Sequence, residues 1–328
     1  MKPRATSRSR FFLRQGLKLA AGATCLVGSI ATYRLLIHPA IASVLALGDE
    51  ASSVMRRIGI FASVVLAYRV FVRYYERRPV LELAPRYLWT LLSAVAGALS
   101  IGVTILFLYA SGHYHLVSFR GFDGTAGVLA QIAIAAVIEE LAFRGVLFRM
   151  VEETTGTAAA LLASAVIFCV AHLANNGLHG VTLLTITLAG LMWAGVFVVW
   201  RNLWVVAAHH GCWNATIFLI GVPLSGEDWR AQAPLETLPH GSVLWTGGAF
   251  GPEDSLVNIV VMMGLCAGLF WLARRRQQWR RPPWREPGAF CERADPPGMN
   301  RNRSWSRRTG QPTPPSWTPS TPIAPPPW

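Results

Sequence analysis

The sequence predicts an all-α fold, a polytopic membrane bundle of about eight transmembrane helices. Three observations carry that expectation. Of 328 residues, 52% are hydrophobic and 14% charged, and the mean hydropathy is +0.37, which is more apolar material than a soluble core requires. Apolar runs close to the roughly 20 residues needed for a span recur along the chain. The charges collect between these runs and at the two ends of the chain.

In chain order, residues 1–15 form a basic N-terminus with Lys2, Arg4, Arg8, Arg10 and Arg14, followed by a first span over 16–37. The run from Ser7 to Arg14 faintly resembles a twin-arginine export signal, but Ser9 separates the arginines and a basic anchor for the first span explains them better. Segment 38–57 carries little beyond its charge. Further spans are expected at 58–73, 87–110, 125–148, 157–175, 181–200, 203–222 and 256–273. The connection 223–255, rich in Pro and Gly, reads as loop. Residues 16–273 are thus one membrane domain. Residues 274–328 change to arginine and then proline, a composition that predicts a disordered cytoplasmic tail.

A net charge of +13 invites a nucleic-acid reading. The basic residues, however, flank membrane helices, and the excess of Lys and Arg in cytoplasmic segments explains them first. The expected partner is the lipid bilayer and not nucleic acid. An even number of spans places both termini in the cytoplasm, together with Arg73, Arg77, Arg78 and Arg86, as in a multi-pass protein of a bacterial plasma membrane. The acidic connection 223–255 then falls outside, and Arg56 and Arg57 do not fit. Five scattered cysteines suggest no disulfide.

Three polar islands interrupt the later spans. The first holds Glu139, Glu140 and Arg144, the second ends on His172, and the third runs from His209 through His210 to Asn214. Ionisable groups inside a span cost a few kcal/mol each, so their recurrence points to a buried functional site. At ~100° per residue only Glu140 stands at i, i+4 to Arg144 and is neutralised locally, leaving Glu139 as the carboxylate available for chemistry. Phe168 precedes His172 by one turn, and His210 shares a face with Asn214, where the two can hold an oxyanion. His209 shares its face with Trp213 and is expected only to support. The competing view is an ion-pair cluster that merely locks helices together. The sequence lacks H-E-x-x-H, yet Glu139, His172 and His210 can supply three zinc ligands, so zinc stays open while no cofactor is required. Ser164 has no G-x-S-x-G context for serine hydrolase chemistry.

In this order the islands resemble the CPBP family, the type II CAAX prenyl protease or Abi intramembrane proteases related to the eukaryotic Ras-converting enzyme. The three family motifs are E-E-x-x-x-R, seen as Glu139, Glu140 and Arg144; F-x-x-x-H, seen as Phe168 and His172; and H-x-x-x-N, seen as His210 and Asn214. The resemblance covers about 125–222. It implies a metal-free intramembrane endopeptidase in which Glu139, helped by His172, activates water, His210 and Asn214 hold the oxyanion, and Glu140 and Arg144 support them. The implied substrate is a peptide or protein, with a prenylated CAAX C-terminus as the best-known case. Two rivals are a non-catalytic scaffold, immunity or regulatory protein of the same family, and a proton-coupled transporter.

Overall fold

The structure, a computed structural model, describes residues 6–282. All eight predicted segments are helical. They are α1 (Thr6–Thr32), α2 (Asp49–Val70), α3 (Tyr87–Ala110), α4 (Thr125–Glu140), α5 (Thr157–Ala171), α6 (Gly180–Trp200), α7 (Leu203–Leu219) and α8 (Leu256–Arg275). Among the described residues five helices are long and apolar enough to cross a membrane, and α5 is shorter but apolar. The protein is an integral membrane helix bundle. Large apolar residues such as Leu92, Leu99, Val103 and Leu106 of α3 point outward, as lipid permits and water does not. The expected tail lies, from residue 283 onward, outside the described residues.

Helix α1 runs further than its expected span, passing through a π-helical turn (Tyr33–Ile37) into His38–Val44, and α2 begins at Asp49, so most of segment 38–57 is helix. The connection 223–255 is also more than loop. Its Leu235–Pro239 strand, β2, pairs antiparallel with β1 (Tyr114–Phe119), with an irregularity between Leu116 and Ser118. Sequence periodicity gave no warning of this small sheet, because each strand is only five or six residues long.

Helix α6 is the central post, buried along nearly its whole length from Thr185 to Val199. Its close approach to α5 depends on Gly190, where a Cβ would fall 3.0 Å from Ala165 Cα. Helix α4 does not stop at Glu140 but widens into a π-helix over Leu141–Phe148 before resuming as Arg149–Thr155. Such bulges leave backbone carbonyls without the regular helical partner. Here the Gly145 carbonyl accepts from Arg149 Nε at 2.9 Å and meets the Tyr68 hydroxyl at 3.1 Å.

Tyr68 also donates to Glu82 at 2.5 Å, and Arg78 holds the same carboxylate with contacts of 2.9 and 2.6 Å. Burial alone would push the Glu82 carboxyl up, but these donors and the Arg78 charge hold it below its usual range. A depressed folded-state pKa gives stability that is present above the unfolded value and is lost as pH falls through the folded one. Thermal unfolding of the wild type should therefore weaken on acidification below the ordinary glutamate range. In Glu82→Gln that acid-dependent loss should shrink, a comparison that unfolding curves across pH will check.

Candidate active site

The three polar islands converge on one cavity of about 380 Å³, lined among others by Glu139, Phe168, His172, Trp193, His210 and Asn214. Helices α4, α5, α6 and α7 form its walls. Its fifth motif-bearing side chain, Asn214, stands one turn beyond His210 on α7 and so faces the same space.

Glu140 and Arg144 lie beneath the lining, against His210 and Phe168. Arg144 Nη1 meets Glu140 Oε1 at 3.0 Å, with both side chains essentially inaccessible, and Arg144 Nη2 donates to the Gly190 carbonyl at 2.9 Å. The guanidinium also lies 5.1 Å from the centre of the Phe168 ring, a favourable place for a cation. Glu140 Oε1 accepts a second bond from His210 Nδ1 at 2.9 Å. A carboxylate can only accept, so the Nδ1 proton of His210 is committed there and Nε2 faces the cavity. The ring is fixed from its other side by Trp193, stacked at 3.6 Å and 24°.

His172 is oriented by the same logic. Its Nδ1 donates to the Phe168 carbonyl at 2.8 Å and its ring lies against the Phe168 ring at 4.2 Å. Its Nε2 is thereby turned to the cavity, 3.9 Å from Glu139 Oε2. Glu139 Oε2 also stands 4.0 Å from His210 Nε2. Neither separation is a direct hydrogen bond. Glu139 Oε2 and Asn214 Oδ1 have no hydrogen-bond partner among the described residues although both atoms are buried.

The structure therefore brings together Glu139, Glu140, Arg144, Phe168, His172, His210 and Asn214. It does not bring His209. That side chain turns about the helix onto α3 and α6, into a separate, mostly apolar pocket with Trp89, Ser93 and Met192. Its expected contact with Trp213 is present, the rings lying 6.4 Å apart at 22°, but it has no contact with the cavity.

Two contributors escaped sequence reasoning. Trp193 sits in an apolar helix whose pattern marks it only as core. Glu253 comes from the 223–255 connection, lines the cavity and is buried. It accepts from Trp213 Nε1 at 3.2 Å, from Ser225 N at 2.9 Å and from Ser225 Oγ at 2.6 Å. Burial pushes its carboxyl above the usual range against the pull of those donors. The one available signal was an acidic pair, Glu253 and Asp254, directly before an apolar run.

The connection containing Glu253 borders one end of the cavity. Asn175 Nδ2 donates to the Ser225 carbonyl at 2.8 Å, Thr182 Oγ1 to Asp254 at 2.5 Å, and Thr125 Oγ1 to the Gln232 carbonyl at 2.9 Å. Among the described residues no group of three or more His, Cys, Asp or Glu side chains is disposed to hold a metal ion.

Residues 120–216, a segment containing all three motifs, match the family described as Type II CAAX prenyl endopeptidase Rce1-like. The resemblance read from the motifs is borne out over that segment, and the family is one of proteases. No curated protein and no solved structure matches the chain.

Proposed function

We propose that the protein is an intramembrane endopeptidase that hydrolyses a peptide bond with water activated by Glu139 and His172. The observation that carries this reading is the gap of 3.9 Å between Glu139 Oε2 and His172 Nε2, two acceptors facing one cavity with no partner between them. A single water at ~2.8 Å from each, an ordinary hydrogen-bond length, bridges such a pair and donates to both.

From that position the water oxygen adds to the scissile carbonyl carbon as its proton passes to Glu139. The resulting oxyanion takes hydrogen bonds from the Asn214 amide and, when the ring carries both protons, from His210 Nε2. Collapse breaks the C–N bond, and the proton held by Glu139 moves to the leaving nitrogen. Glu140 positions His210 and balances its charge. Arg144 pairs with Glu140 in a place where an unpaired carboxylate would be costly. A CAAX-type C-terminal substrate is the family's suggestion; the chemistry itself requires only an extended peptide.

Mass spectrometry of a peptide library, with and without prenyl groups, incubated with the purified protein tests the reading. Discrete cleavage sites are expected. A folded protein that cuts none of the peptides counts against it and in favour of a scaffold or immunity role. An oxyanion donor is worth roughly 10²–10³ in kcat. Asn214→Ala should lose about that much turnover with KM little changed, and steady-state kinetics on any cleaved peptide will show it.

A further inference from the structure

We infer that the cavity opens on the non-cytoplasmic face of the membrane, and that its substrates are polypeptide segments displayed on that face instead of cytoplasmic C-terminal tails. The substrate half rests on the peptidase reading; the side of opening does not.

The bundle has two chemically distinct ends. At one, the connection between α2 and α3, the turn before α5, the turn before α7 and the end of α8 are tied together. Arg149 meets Glu76 at 2.8 Å, Arg201 pairs with Glu152, Asn202 Nδ2 donates to the Ala84 carbonyl at 2.7 Å, and the Arg280 amide donates to Thr157 at 2.9 Å. At the other end β1, β2 and residues 223–255 sit over the cavity through the Asn175, Thr182, Thr125 and Trp213 contacts already described.

The arginines crowd the first end. Arg73, Arg77 and Arg274 to Arg276 project there with no carboxylate partner among the described residues, beside Arg78, Arg86, Arg201 and Arg280. The N-terminus of α1 points the same way, since Gly22 packs against Phe71 and Val146 while Tyr33, further along, reaches Met55. At the capping end Arg120 and Arg230 are each paired with an acid, Glu236 at 2.6 Å and Asp228 at 2.6 Å, and the Glu227 side chain, which lines the cavity, is exposed with no ion-pair partner among the described residues. Arg34, Arg56 and Arg57 are the remaining cations towards that end, too few to reverse the bias. An excess of Lys and Arg marks the cytoplasmic side, so the arginine-rich end is cytoplasmic and the cap is external.

Access follows from burial. Towards the cytoplasmic end the lining residues His210 and Phe168 are backed by a buried floor of Glu140 and Arg144, both 0% exposed, with Tyr68, also 0% exposed, further along. Towards the cap its lining includes Ser225, Glu227, Trp229 and Phe250. A peptide thus reaches Glu139 past the cap, and a cytoplasmic tail meets the closed floor.

Single cysteines introduced into the full-length protein decide the matter, labelled with a membrane-impermeant maleimide in spheroplasts and in inverted vesicles, with the unsubstituted chain as background. Glu227→Cys should label in spheroplasts and Arg77→Cys only after inversion. His115→Cys, exposed on β1, reads the capping face independently should Glu227→Cys fold poorly. Labelling of the capping positions only in inverted vesicles, or equally from both sides, overturns the inference. This readout needs no turnover, so it stands or falls apart from the peptidase reading. Cleavage of an added impermeant peptide in inverted vesicles but not in spheroplasts would overturn the substrate half alone.

Discussion

Glu139→Gln should abolish peptide cleavage while leaving the bundle folded. A positioned general base contributes typically ~10²–10⁴-fold to a rate, and an amide of the same shape cannot take the proton from water. The fold should tolerate the exchange because Glu139 makes no hydrogen bond through Oε2 among the described residues and keeps 30% of its side chain accessible. Initial rates of peptide cleavage, read beside the melting temperature of each purified variant, measure both halves. Retention of more than a small fraction of the rate in a well-folded Glu139→Gln protein removes the general-base role.

The adjacent carboxylate should behave in the opposite way. Arg144→Met strips Glu140 of its guanidinium and leaves a fully buried carboxylate with only His210 beside it. Breaking a buried pair by removing one partner typically costs ~3–5 kcal/mol, whereas replacing both partners with apolar groups is often neutral or stabilising. Arg144→Met should therefore be severely destabilised, and the double variant Glu140→Leu with Arg144→Met should regain much of that stability. Cleavage should not return with it. His210 loses the acceptor for its Nδ1 proton, and with it the orientation that aims Nε2 at the cavity. Denaturation and activity measured on the single and double variants separate the two effects, and recovery of both together would show that Glu140 does nothing but pair with Arg144.

Much of this arrangement was legible because its parts lie one helical turn apart. The Glu140–Arg144 pair, the shared face of His210 and Asn214, and the Phe168–His172 contact all follow from i, i+4 spacing. The availability of Glu139 follows from its offset. What spacing does not give is the link between helices. That Glu140 grips His210 through Nδ1, and that Trp193 stacks on the His210 ring, are products of packing. Which of His209 and His210 reaches the cavity depends on which face of α7 meets α3. The chain's approach there is so close that a Cβ on Gly97 would fall 2.2 Å from the His209 carbonyl oxygen.

The less legible parts have physical reasons too. The π-helical stretch after Glu140 changes the backbone ladder without changing the apolar pattern, and its stabilisers, Tyr68 and Arg149, come from elsewhere in the chain. Gly145 looks unremarkable in sequence, yet a Cβ there would stand 2.8 Å from the Tyr68 ring. Trp193 is indistinguishable from its apolar neighbours until His210 is seen stacked on it. The cap is invisible for a different reason: Pro and Gly announce turns but not which turns meet, and Glu253 acquires its place only through Ser225 and Trp213.

The central claim is that a carboxylate and an imidazole, without a metal ion, activate the attacking water. Its most direct test is the turnover of a cleaved peptide by wild-type protein before and after exhaustive treatment with a strong zinc chelator, with Glu139→Gln alongside. The account predicts an unchanged rate after chelation and none above background in the variant. Loss of wild-type activity on chelation, restored by added zinc, would contradict it and make Glu139, His172 and His210 the ligands of a metal centre.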